Sequence, residues 1–273
     1  MTTSLIPVHP NRPNFRAYDD VPTRVPVEGV LMHDFFGMID PFQNTEHQKS
    51  AEWTSPAYTD ASSGIDGPEA FFIEATINVE EAAHFHDVDQ FQLFFGGTGS
   101  FFQRQPITAV TVQYADAFAT YGPFGSGEGG FQFYTLRGRA SSMRAYMPEE
   151  RDKMVQRGVR QKRMDLEPRL RQPTPDVPTI ETIWEEEPDG MAAYWMEIPA
   201  GQSVDSPPAR GAGQYQCVIA GTVHVDGQEL APRSLGWVPG CETPISARLQ
   251  SADDTASKVL VLQLPHPTYT PDS

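Results

Sequence analysis

Short runs of alternating or β-branched and aromatic residues recur along the chain, and turn-forming residues separate them. With 25 prolines and 22 glycines as punctuation, the pattern is typical of an all-β protein. Runs of this length predict strands rather than helices. They form two groups, at 71–79, 90–95, 107–114 and 131–137, and at 191–199, 214–220, 222–227 and 258–265.

The two groups resemble each other in sequence. QFQLFFGGT at 90–98 aligns with QYQCVIAGT at 214–222, which matches Gln90 with Gln214 and Gln92 with Gln216. Such internal similarity indicates a duplicated β-domain. The sequence therefore predicts one domain at 66–147, a second at 181–268, and an amino-terminal arm at 1–65 that packs on them.

The segment between the two groups, 148–180, is basic and rich in proline near its end. Eight of the 20 Lys and Arg residues lie between 148 and 172, followed by PTPDVP. This composition predicts a short helix leading into an extended connection. We expect a solvated linker in preference to a surface that clamps an acidic partner.

Charge and hydropathy exclude several classes of partner. The formal net charge of −16 disfavours nucleic acid and anionic membrane surfaces, because both are also negative. No apolar run approaches the roughly 18 residues that suggest a membrane span, and the first residues do not resemble a secretory signal. Cys217 and Cys241 have neither a zinc spacing nor a disulfide framework, so we expect a cytoplasmic protein.

The segment AAHFHDVDQFQLFFGG, at 82–97, carries the strongest chemical signal. Alternate residues of a strand share a face, so His84 and His86 project together, and so do Gln90, Gln92 and Phe94 of the next strand. Imidazoles suit iron, nickel, zinc or copper better than magnesium or calcium. An amide at position 90 offers a metal ion only a dipole where a carboxylate would offer charge, so binding should be weak.

This segment resembles the first motif of the cupin superfamily, in which Gly, His-x-His, Glu and Gly occur at fixed spacing. His84, His86, Gln90 and Gly97 fall on that spacing, with Asn78 in the first glycine place and glutamine in place of glutamate. With its second repeat the chain resembles a bicupin, two β-barrel or jelly-roll domains in one chain. Its aromatic-rich segments are also similar to bacterial cupin-domain proteins.

The resemblance implies an enzyme that acts on a small organic molecule and a homodimer. Oxygenase, isomerase and lyase chemistry are all open. A weakly bound divalent metal (Fe, Ni, Zn, Cu or Mn) would be held by His84, His86 and Gln90. Further candidates are Tyr121 and Glu128, which with the histidines would be catalytic, and the substrate-binding residues Gln92, Phe94, Tyr134 and Arg137.

The sequence also departs from the family pattern. The second motif usually supplies a histidine after a proline, and here Glu128 follows Pro123 in that place. In the second repeat Pro208 and Arg210 stand at the places of the two histidines, so we expect that domain to hold no metal. His33 and His47 in the arm are possible donors of a missing ligand.

Two alternatives to the metal enzyme stay open. Without metal, the histidines could act as general acid and base near neutral pH. The chain could also be a ligand-binding or sensor protein with a degenerate metal site. Twelve of the 16 phenylalanines lie between 71 and 133, which suits an apolar or aromatic ligand, although core packing accounts for most of them.

Overall fold

The structure is a computed structural model that describes residues 8–37, 67–76, 79–96, 99–107, 110–127 and 130–269. The described residues form two compact units. Unit 1 contains the described parts of Pro22–Arg169 together with Thr268 and Tyr269. Unit 2 contains Val8–Val21 and Leu170–Pro267.

Most of the regular structure in the described residues is β-strand, which confirms the all-β prediction. The exceptions are short 3-10 helices at Tyr18–Asp20 and Arg151–Lys153 and the helix α1 (Glu167–Arg171), and no described helix is long and apolar enough to cross a membrane. The strands, in chain order, are β1 (Asn14–Arg16), β2 (Thr23–Val27), β3 (Val30–Phe36), β4 (Glu69–Ala75), β5 (Glu80–Glu81), β6 (His84–His86), β7 (Gln90–Phe95), β8 (Phe101–Phe102), β9 (Gln105–Pro106), β10 (Val110–Ala115), β11 (Phe124–Gly125), β12 (Phe131–Arg137), β13 (Arg144–Tyr146), β14 (Gln161–Asp165), β15 (Thr179–Trp184), β16 (Ala192–Ile198), β17 (Ser203–Asp205), β18 (Gly213–Ala220), β19 (Val223–Val225), β20 (Gln228–Leu230), β21 (Leu235–Pro239), β22 (Arg248–Ser251) and β23 (Ser257–Leu264).

The described part of unit 1 contains a seven-stranded antiparallel sheet in the order β14-β10-β7-β12-β4-β3-β2. The same described part also contains a four-stranded sheet, β5-β11-β8-β9, and the pair β13-β6. Phe94 and Phe133 of the large sheet pack against Phe124 of the smaller one, with their ring centroids 5.6 and 5.5 Å from that of Phe124. The apolar core therefore lies between the two sheets, as in other stacked-sheet proteins.

The described part of unit 2 repeats this order with a six-stranded sheet, β1-β21-β18-β23-β16-β15, and a four-stranded sheet, β17-β22-β19-β20. Strand β18 lies between β21 and β23 as β7 lies between β10 and β12. Gln214 and Gln216 on β18 are buried, as are Gln90 and Gln92 on β7. The strand order confirms the duplication predicted from the sequence.

Residues predicted as arm and linker form strands at or next to the edges of the sheets. Strand β1, from the arm, pairs with β21 of unit 2, while β2 and β3 extend the large sheet of unit 1. Strand β14, from the predicted linker, pairs with β10. Unpaired sheet edges favour the addition of such strands, because each added strand supplies partners for backbone groups that lack them.

Strand β1 fits unit 2 because position 236 carries a glycine. Phe15 pairs directly with Gly236, and a β-carbon added at Gly236 would lie 2.2 Å from Cε1 of the Phe15 ring. The Phe15 ring therefore fills the space that a side chain at position 236 of β21 would occupy.

We expect Gly236→Ala to lower the free energy of unfolding by about 1–3 kcal/mol, because the added methyl group must displace the Phe15 ring. The double variant Phe15→Ala/Gly236→Ala should lose less than the sum of the two single losses. Urea unfolding of the four proteins measures this coupling. Strictly additive losses would contradict the packing of Phe15 on Gly236.

Candidate functional site

Three polar side chains form a row across the large sheet of unit 1. The register pairs Arg137 on β12 with Glu69 on β4 and with Gln90 on β7. Directly paired residues in an antiparallel sheet project to the same face, so the three side chains meet. Arg137 donates from Nη1 to Glu69 Oε2 at 2.6 Å and from Nε to Gln90 Oε1 at 3.0 Å.

Strand β6 brings the two histidines to this row. His84 pairs with Tyr121 through two backbone hydrogen bonds of 3.0 Å, and its Nδ1 lies 2.7 Å from the Ala82 carbonyl oxygen. A carbonyl can only accept, so Nδ1 carries the proton and the His84 Nε2 accepts from the Tyr121 hydroxyl at 2.9 Å.

His86 has the same tautomer for the same reason. Its Nδ1 lies 2.7 Å from the carbonyl oxygen of Met143, and its Nε2 lies 3.1 Å from Arg137 Nη2. The guanidinium has only donors, so His86 Nε2 accepts from it. Arg137 therefore contacts His86, Gln90 and Glu69 at once, and its side chain is 2% exposed.

A second ion pair lies beside His84. Arg144 Nη1 lies 3.4 Å from Glu81 Oε1, and the Tyr146 hydroxyl donates to the same carboxylate oxygen at 2.8 Å. Burial raises the pKa of Glu81, while the Arg144 charge and the Tyr146 hydrogen bond act against that rise. The strand pairing that aligns Arg144 with His86 and Tyr146 with His84 fixes this arrangement.

These side chains surround a cavity of about 40 Å³. Its lining combines charged and hydrogen-bonding groups with apolar ones. The lining residues are Phe71, Ile73, Glu81, His84, His86, Gln92, Tyr121, Phe124, Phe133, Thr135, Arg137 and Arg144.

Both imidazoles are neutral at physiological pH. Burial lowers the pKa of His84 to about 3, aided by the charges of Arg144 and Arg137 and opposed by the hydrogen bond to Ala82. Burial likewise lowers the pKa of His86 well below its ordinary value, with the Arg137 charge as the next cause. Efficient general acid–base catalysis needs a pKa near the working pH, so this geometry disfavours the acid–base role near neutral pH.

The structure brings most of the predicted site residues together. His84, His86, Gln92, Tyr121 and Arg137 line the cavity. Gln90 lies beside it, bound to Arg137, and Phe94 packs in the aromatic core.

Other predicted residues lie elsewhere. Tyr134 projects to the opposite face of β12 from Arg137, where its ring lies 4.5 Å from that of Phe72. His33 Nε2 contacts Glu74 Oε1 at 2.8 Å, and neither residue lines the cavity. Glu128 and His47 lie outside the described residues.

Glu69, Glu81 and Arg144 belong to the site but were not predicted from the sequence. Glu69 precedes Phe71 by two residues, so strand alternation alone would have placed both on one face. Glu81 and Arg144 carry no comparable signal, because β5 and β13 have only two and three residues. Their position depends on pairing with β11 and β6.

The described residues do not fit the predicted metal ion in this conformation. A metal would need the lone pairs of His84 Nε2, His86 Nε2 and Gln90 Oε1, and each of these atoms accepts a hydrogen bond from Tyr121 or Arg137. The guanidinium also places a permanent positive charge there, which repels a second cation. No group of three or more His, Cys, Asp or Glu residues among the described ones could hold a metal.

Solved structures similar to this chain have cupin folds. A "putative dioxygenase" from Nostoc punctiforme superposes with a TM-score of 0.60 at 9% identity, over 99% of this chain and 89% of that one. The bacterial pirin YhhW of Escherichia coli, in complex with nickel(II), gives 0.51 at 12% identity, over 93% and 99%. Oxalate decarboxylase of Lactobacillus farciminis, as a formate complex, gives 0.53 at 10%, over 97% and 88%.

These similarities show the fold. The chain has the two-domain cupin fold that the His-x-His motif and the repeat predict, so the resemblance to bicupins is confirmed. No protein-family model and no curated protein matches the sequence. The neighbours are too distant in sequence to transfer a reaction or a metal to this chain.

We expect Arg137→Met to lower the free energy of unfolding by about 3–5 kcal/mol, because it leaves the Glu69 carboxylate buried without its partner. The double variant Arg137→Met/Glu69→Gln should be more stable than Arg137→Met alone. Urea unfolding of the wild type, both single variants and the double variant measures this. Equal stabilities of Arg137→Met and the double variant would contradict the pairing.

Proposed function

We propose that unit 1 binds a small organic molecule in the cavity beside His84, His86 and Arg137. The observation that carries this proposal is the convergence of hydrogen-bonding and charged side chains on a cavity whose lining also includes apolar side chains. Ligand sites in proteins combine a few placed polar groups with an apolar lining in this way. The described residues of unit 2 have no histidine pair at the corresponding places, so we assign the binding to unit 1.

The cavity volume limits the ligand. A buried water needs roughly 10–15 Å³ of such volume, so about 40 Å³ holds about three waters or a ligand of similar size. An engineered apolar cavity that binds benzene has roughly 150 Å³. The predicted aromatic ligand is therefore too large for the cavity in this conformation, and a short aliphatic ligand fits best.

The second candidate is a cupin-type, metal-dependent enzyme. It is favoured by the adjacent imidazole rings of His84 and His86, whose centroids lie 5.3 Å apart. Of the three similar structures described above, one is a nickel complex, one is named a "putative dioxygenase" and one is an oxalate decarboxylase. For this chain, metal binding would require Tyr121 and Arg137 to release both Nε2 atoms. The geometry therefore favours ligand binding without metal.

Filling the cavity should abolish binding. We expect Thr135→Leu, on the cavity wall, to remove the rise in melting temperature that a small ligand gives the wild type, because the larger side chain occupies the ligand's space. Tyr134→Phe is the matched control, since residue 134 lies on the opposite face of the same strand. Thermal unfolding with a panel of neutral, anionic and cationic molecules of up to five non-hydrogen atoms measures the rise.

Two results would overturn the proposed function. In the first, no member of the panel stabilises the wild type. In the second, Thr135→Leu responds to a ligand as strongly as Tyr134→Phe does. Repeating the panel with nickel, zinc, manganese and ferrous iron tests the second candidate, which predicts stabilisation only when both metal and ligand are present.

A further inference from the structure

We propose that the cavity of unit 1 binds a small hydroxycarboxylate through Arg137 and Arg144, with no metal ion. This inference rests on the proposed function, because it assigns a chemical class to the ligand of the same cavity. Three observations carry it: the contacts of Arg137, the two guanidinium groups of the cavity wall and the hydrogen bonding of the Gln92 side chain.

Arg137 takes the position that a metal ion would need. Its guanidinium hydrogen-bonds to His86 Nε2 and Gln90 Oε1, two of the three predicted ligand atoms. Glu69 and the strand register hold it there from the other side. Arginine stays protonated at every physiological pH, so the site already contains a permanent cation.

The two guanidinium groups of the cavity wall suit a carboxylate ligand, and each is also paired with a protein carboxylate, Arg137 with Glu69 and Arg144 with Glu81. Among the described residues that line the cavity, Arg137 and Arg144 are cationic and Glu81 is the acidic one. Glu69 pairs with Arg137 but does not line the cavity. Guanidinium groups bind carboxylates with strong, directed hydrogen bonds, and the low dielectric of a buried site strengthens them.

The side-chain oxygen of Gln92 favours a ligand with a second polar group that can donate a hydrogen bond. Its side chain lines the cavity, is buried, and within the described part of the chain its Oε1 has no hydrogen-bond partner. A buried acceptor without a donor costs about 1–3 kcal/mol. A hydroxyl beside the ligand carboxylate would donate to Gln92, and the apolar wall of Phe71, Phe124 and Phe133 would face the carbon chain.

Glycolate, acetate and glycolamide separate these contributions. They have the same or nearly the same size, but acetate lacks the hydroxyl and glycolamide lacks the charge. In calorimetric titrations of protein stripped of metal with EDTA, we expect glycolate to bind, acetate to bind about tenfold more weakly, and glycolamide not to bind. Arg144→Gln should weaken glycolate binding by about tenfold or more.

Gln92→Leu and Gln113→Leu form a matched pair of variants. Gln113 is the cross-strand neighbour of Gln92 and is equally buried, but it does not line the cavity. We expect Gln92→Leu to bind glycolate and acetate equally. Gln113→Leu should keep the wild-type preference for glycolate.

Metal titrations test the role of Arg137. We expect nickel, zinc and manganese to give no binding heat with the wild type. The triple variant Glu69→Gln/Gln90→Glu/Arg137→Met removes the resident cation and supplies a carboxylate, so it should bind nickel in a manner abolished by a further His86→Ala change. Should the triple variant not fold, the wild-type titration decides: nickel binding that disappears in His84→Gln overturns the proposal.

Other results of these titrations would overturn this inference, the proposed function or both. Binding of glycolamide as tight as glycolate, or glycolate binding only when a metal is added, overturns the proposal. If a neutral molecule binds the wild type and not Thr135→Leu while all carboxylates fail, the proposed function survives and this inference is wrong. If nothing binds, both are wrong.

Discussion

The guanidinium of Arg137 is the constraint on which the site of unit 1 depends. Arg137 lies on β12. By donating to Glu69, Gln90 and His86, it links that strand to β4, β7 and β6. A buried charge is tolerated only when it is paired and hydrogen-bonded, and these partners meet that requirement. His86 Nε2 already accepts a hydrogen bond from Arg137, and His84 Nε2 accepts one from Tyr121. The two imidazoles therefore have no lone pair left to bind a metal ion in this conformation.

The electrostatics of the site agree with this geometry. Burial lowers the pKa of both imidazoles, and the nearby charges of Arg137 and Arg144 lower it further, which favours the neutral form of His84 and His86. A neutral imidazole that accepts from a guanidinium or a phenol orients those donors toward the cavity. In this structure the histidines therefore support the positions of Arg137 and Tyr121.

Much of the fold could be predicted from the sequence. Strand periodicity predicts 90–95 and 131–137 with the bounds of β7 and β12, and the repeat predicts β18 as the counterpart of β7. Alternation also separates Tyr134 from Arg137, since the two are an odd number of residues apart. The contacts of Arg137 with Glu69 and Gln90 could not be predicted, because they depend on the register between β4, β12 and β7. Strands as short as β1 and β13 carry no periodic signal in the sequence. The homodimer and the cytoplasmic location stay predictions.

The protonation and occupancy of the two imidazoles test the central claim most directly. Nitrogen-15 NMR of the histidine rings in the wild type, recorded at pH 7 before and after addition of zinc, reports the tautomer and any metal bound at Nε2. The account predicts that His84 and His86 are neutral, carry the proton on Nδ1, and keep the same Nε2 shifts when zinc is added. Zinc-dependent shifts of both Nε2 resonances would contradict it.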